Sequence, residues 1–264
     1  MRKAGSESGC VGSKASPRSL FDRERNAAAA CYGPHRMVVD PGSAVRLSLV
    51  VGTTATLLGL APALALGWLL ARRQFRGKSI VSTLLLLPLV LPPVATGFLL
   101  LRVFGRATIL GGLLARVGLP VTFSIFGAIL AALVVGFPLY VLSIRGAFEA
   151  VDARFEEVSL TLGSRPLETW RRITLPLALP GIAAGMVLAF ARGLGEFGAT
   201  VVLAGNMEGR TRTIAVAVYS LLDAPGGDRQ VGTLLAASIA LSLVALAGFE
   251  ALDRYQRRRL DLDV

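Results

Sequence analysis

The sequence predicts an all-α fold: a polytopic membrane helix bundle with five transmembrane helices. Two observations carry that expectation. Hydrophobic residues make up 53% of the chain and charged residues only 17%, a balance too apolar for an ordinary soluble domain. A helix needs about 20 apolar residues to cross a bilayer, and residues 47–71, 80–101, 121–144 and 231–249 each reach about that length without one Asp, Glu, Lys or Arg. A further apolar stretch, about 176–203, is interrupted by Arg192 and Glu196 and completes the five. Residues 213–222 are too short to cross and read as an interfacial or re-entrant helix.

Residues 1–43 precede this pattern. They are rich in Ser, Gly and Ala and hold Cys10, Cys31 and His35. Up to residue 36 they carry seven basic and three acidic side chains. They lack the apolar core of a signal peptide. Two readings stand side by side: a disordered extension, or a start assigned too far upstream, since Met37 lies about ten residues before the first span. With both cysteines there, the rest of the chain says nothing about redox compartment.

After the first span, Gly77-Lys78-Ser79 imitates the end of a phosphate-binding loop. The glycine needed five residues upstream of Gly77 is Arg72, and a helix rather than a strand precedes it. No ATP site is expected. The second and fourth spans share an echo, Leu87-Pro88 to Pro92-Pro93 and Leu175-Pro176 to Pro180. Broken helices facing a pathway and kinks in a packed bundle both fit it. Gly136 and Pro138 are expected to bend the third span.

Basic residues set the orientation. Arg72, Arg73, Arg76 and Lys78, then Arg145, Arg154, Arg165, Arg171 and Arg172, then Arg254, Arg257, Arg258 and Arg259 put thirteen cations on one side; the opposite loops carry six. The loop at about 145–176 and the C-terminus are therefore expected in the cytoplasm. The net charge of +11 reflects this topology, and no basic–aromatic interleaving points to nucleic acid. Beyond residue 36 there is no His and no Cys, which removes most metal-ligand and nucleophile arrangements. Neither a cofactor nor catalysis by this chain is expected.

The loop at 154–176 is the most informative segment. Phe155, Val158 and Leu162 give a short helix one apolar stripe. Gly163 supplies a left-handed helix stop, Pro166 suits the first position of a second helix, and Glu168 suits its first turn. Helix, turn and helix form a knob that also shows Leu167 and Trp170. The spacing of Glu157, Gly163, Ile173, Leu175 and Pro176 resembles the coupling loop of binding-protein-dependent ABC importer permeases, with Val158-Ser159 where that family has Ala-Ala. The resemblance implies a membrane subunit driven by a separate ATPase, and these residues with Pro166 as its contact.

A second run resembles the molybdate permease subunit, with tungstate and sulfate/thiosulfate permeases as relatives. It comprises Ala191 to Thr200 with its Gly195-Glu196-Phe197-Gly198 core, then Ala204 to Asn206, Thr211 to Thr213, Ala217 to Tyr219 and Pro225 to Gly227. The resemblance implies a permease domain at 44–252, a basic cytoplasmic tail at 253–264, and the shorter five-span form. It also implies a homodimer, two copies of a cytoplasmic ABC ATPase and an extracytoplasmic binding protein, all at a bacterial plasma (inner) membrane. Arg192, Glu196 and Thr200 are the candidate pathway or gate residues. Arg192 and Glu196, four apart, are expected to pair on one helix face, as a structural lock or as part of the anion path. The competing class, an ion-coupled secondary transporter, would have only Glu196 with Arg192 to titrate within the membrane.

Overall fold

The computed structural model describes residues 40–222 and 228–261; the readings for residues 1–39 and for Pro225 to Gly227 lie outside them. Among the described residues all regular structure is helical. Helix α1 is Pro41–Arg72, α2 Lys78–Val90, α3 Pro93–Phe104, α4 Ile109–Arg116, α5 Ile125–Ala150 and α6 Ala153–Thr161. Helix α7, Pro166–Thr169, continues through a π turn, Trp170–Thr174, into α8, Leu175–Leu194. Helices α9 Gly198–Leu203, α10 Ile214–Leu222 and α11 Asp228–Asp261 follow.

Local chemistry starts these helices where the sequence allows. The Asp40 carboxylate accepts from the Gly42 and Ser43 amides at 3.1 and 3.2 Å, with Pro41 at the first helical position of α1. Ser124 and Thr108 cap α5 and α4 in the same way. Helix α5 sits centrally, packed on α1 and α8. Its Tyr140, Val141, Ile144 and Phe148 are buried against Ala63 and Leu70 of α1 and Ala178 and Ile182 of α8. Small residues let the backbones approach: a Cβ at Gly181 would lie 2.4 Å from the Ala147 Cβ, and the Ser143 hydroxyl donates to the Gly181 carbonyl at 3.3 Å.

Among the described residues four helical stretches are long and apolar enough to cross a membrane: α1, α5, Pro166–Leu194, and Arg229–Ala251 within α11. The second expected span, 80–101, is not one straight helix. It is the pair α2 and α3, bent by 113°. The cause is the tandem proline: Leu91 and Pro92, each preceding a proline, are held extended at ψ 142° and 134°. Pro138 and Pro180, which are single, stay inside α5 and α8. Helix α2 has no buried residue, and α11 shows Leu235, Ile239, Leu243 and Leu246 on its surface, an arrangement suited to a hydrocarbon solvent.

The fourth span also differs from expectation. It begins ten residues earlier, because the second helix of the 154–176 segment is continuous with it, and it ends at Leu194. The chain breaks at Gly195 to Phe197 before α9. The break is fixed from outside the helix. Helix α9 packs backbone to backbone on α3, where a Cβ at Gly97 would meet the Ala199 Cα at 2.7 Å and one at Gly198 the Pro93 Cβ at 2.8 Å.

Candidate functional site

Helix α6 and the turn after it are built by local rules. Asp152 caps the helix, accepting from the Arg154 amide at 2.9 Å, and Glu156 lies in its first turn. The helix ends at Gly163, with φ +89°. The Gly163 amide donates to the Leu160 carbonyl at 3.0 Å and the Ser164 amide to the Ser159 carbonyl at 3.1 Å, the paired bonds of a Schellman stop. Pro166 then starts α7.

The polarity of α6 is inverted. Its inward face carries Glu156 and Ser159. The Ser159 and Thr169 hydroxyls share a buried hydrogen bond of 2.9 Å. The Glu156 carboxylate accepts from the Thr174 hydroxyl at 2.9 Å and pairs with Arg72 at 2.9 Å. Arg72 also donates to the Val151 carbonyl at 2.8 Å. The outward face carries Phe155, Val158 and Leu162, exposed by 56, 57 and 81%, and Ile173 of the π turn joins them along one shallow groove. A polar loop that turns its hydrogen-bonding side inward and a row of large apolar side chains outward gains about 25 cal/mol per Å² when a partner covers that row.

Of the residues singled out by spacing, Glu157 is exposed on α6, and Ile173 is half-buried in the groove. Leu175 and Pro176 lie above the π turn at the start of α8. Spacing missed Glu156, Arg72, Ser159, Thr169 and Thr174. The usable signal is the three-residue interval of Glu156 and Ser159, which puts two polar groups on one helix face.

The second constellation is compact. Arg192 and Glu196 do pair, at 2.8 Å, yet not on one helix face: Arg192 lies in the last turn of α8, and Glu196 sits in the break. Glu196 is 2% exposed and its other oxygen accepts from the Ala199 amide at 2.8 Å, capping α9. Thr200 is buried on α9. Beyond it, the Arg212 guanidinium donates to Asn206 at 2.7 Å, Asn206 donates to Ser220 at 2.7 Å, and the rings of Phe197 and Tyr219 lie 4.7 Å apart. The fold thus ties the separate motifs of residues 191–219 together.

Residues 63–261 match the family of binding-protein-dependent transport system inner membrane components. The molybdenum transport system permease protein ModB of Escherichia coli (strain K12) is 46% identical over 84% of this chain and 98% of its own length. The Haemophilus influenzae protein of the same name is 44% identical over 83% and 96%, and the Mycobacterium tuberculosis one 41% identical over 80% of each. Among solved structures, the inward-facing MetNI methionine ABC transporter superposes with a TM-score of 0.65 at 19% identity, covering 80% of this chain and 94% of that one. A bacterial alginate ABC transporter in complex with alginate pentasaccharide-bound periplasmic protein gives 0.62 at 20%, covering 92% and 88%. The chain belongs to the binding-protein-dependent transport family as a multi-pass inner-membrane component.

Proposed function

We propose that this chain is the permease subunit of an ATP-driven importer of a tetrahedral oxyanion, molybdate, with no ATPase site of its own. Two copies form the pathway, two cytoplasmic ATPase subunits dock on their 154–176 segments, an extracytoplasmic binding protein delivers the anion, and the C-terminus lies in the cytoplasm. The inverted polarity of α6 is the observation that carries the ATP-driven part: its outward apolar row and exposed Glu157 await a partner, while its inner face is bonded to the spans. The substrate rests on relatives at 41–46% identity whose names specify molybdenum transport. A proton-coupled carrier relies on an intramembrane ionisable group that faces its pathway. Glu196 is engaged by Arg192 and the Ala199 amide.

Cells lacking this subunit are expected to lose molybdoenzyme activity at trace molybdate and to regain it with excess molybdate entering by less specific routes. Molybdoenzymes unaffected together with sulfate auxotrophy would move the substrate to sulfate; molybdoenzymes unaffected together with sensitivity only to tungstate supply would move it to tungstate.

A further inference from the structure

Thr169 and Thr174 are five positions apart, and both are buried, at 4 and 1% exposure. In a regular α-helix, turning about 100° per residue, such positions point about 140° away from each other. A π turn closes its bonds from residue i to i+5, so positions five apart fall on one face. The π turn Trp170–Thr174, closed by the Leu175 amide on the Trp170 carbonyl, spans this interval. The two hydroxyls reach Ser159 and Glu156, three apart on α6. The Glu156 Oε1 that accepts from Thr174 also meets Arg72, the last residue of α1, which is bonded to the chain entering α6 through the Val151 carbonyl. One carboxylate oxygen therefore joins the end of α1, the α6 helix and the base of α8.

We infer that Glu156 is a positioning residue for coupling, and that the π turn is the register device that lets it act. Held by Arg72 and Thr174, it makes α6 move as one body with α1 and α8, so a push on the outer face of α6 reaches two spans instead of being absorbed at the Gly163 turn. The π turn adds one residue to the helix, which brings Thr174 round to Glu156 while Thr169 keeps its bond to Ser159. This inference rests on the reading that α6 docks an ATPase.

The test uses the full complex reconstituted with its ATPase and molybdate-loaded binding protein, and reads molybdate imported per ATP hydrolysed alongside the ATPase retained on purification. Glu156→Ala is expected to lower molybdate per ATP on the order of tenfold with the ATPase still bound. Thr174→Val, which removes the hydroxyl that donates to Glu156, is expected to lower it in the same direction. Because both act on one contact, the combined variant is expected to be no worse than either alone. Wild-type molybdate per ATP in Glu156→Ala would overturn the inference, as would additive losses in the combined variant. A wild-type complex that fails to hydrolyse ATP in response to loaded binding protein would instead overturn the docking reading beneath it.

Discussion

Replacing Gly163 with valine is expected to abolish the stimulation of ATP hydrolysis by loaded binding protein. Gly163 adopts φ +89°, a region that costs an ordinary L-residue about 1–2 kcal/mol and a β-branched one more. A Cβ there would meet nothing within 4 Å, so the penalty is conformational and not a clash. Its relief must come from the backbone. Moving φ out of the left-handed region breaks the bonds from Gly163 and Ser164 to the last turn of α6 and swings the row of Phe155, Val158 and Leu162. Asparagine tolerates this conformation, so Gly163→Asn is expected to keep most of the stimulation. Wild-type stimulation in Gly163→Val, measured in reconstituted vesicles, would show that the turn does not set the docking surface.

The second large effect is at Glu196. Truncating it to alanine removes the acceptor for the Ala199 amide and the partner of Arg192 in one step. Breaking a buried pair from one side costs about 3–5 kcal/mol; the Arg192 side chain, 28% exposed, keeps some access to water, so the lower end applies. Folded subunit recovered from membranes is expected to fall sharply. Arg192→Met with Glu196→Gln removes both charges but keeps a carbonyl to cap α9, and is expected to fold. That pair of variants also separates a lock from a pathway role. Assembly with normal uptake leaves the charges purely structural, whereas assembly with ATP hydrolysis and no uptake places them in the anion path.

What the sequence made legible depended on how local the determining chemistry is. The apolar stretches gave the bundle, because span length is a property of the stretch alone. The stop at Gly163 and the start at Pro166 were legible because each residue's own φ preference decides them. Elsewhere the deciding group lies far away in the chain. Nothing in residues 170–174 announces a π turn, since its reason is the position of Ser159 and Glu156 on another helix. The break after Leu194 was hidden in an apolar stretch for the same reason: the close approaches of Gly97 to Ala199 and of Gly198 to Pro93, which turn α9 onto α3, are long-range. The tandem Pro92-Pro93 broke its helix where single prolines in α5 and α8 did not, a difference legible in the i−1 restriction but masked by the hydropathy. Of the two adjacent glutamates, spacing picked out Glu157, which is exposed, while the neighbour one helical step round holds the internal contacts.

On the proposed function, ATP hydrolysis by a partner drives anion movement through this chain. The most direct test is uptake of radiolabelled molybdate into proteoliposomes holding this subunit with its ATPase, given binding protein outside and ATP inside. Uptake is expected only when subunit, ATPase, binding protein and ATP are all present, and to persist when proton and sodium gradients are collapsed. Uptake by the subunit alone under an ion gradient, without ATPase or ATP, would make it an ion-coupled carrier instead.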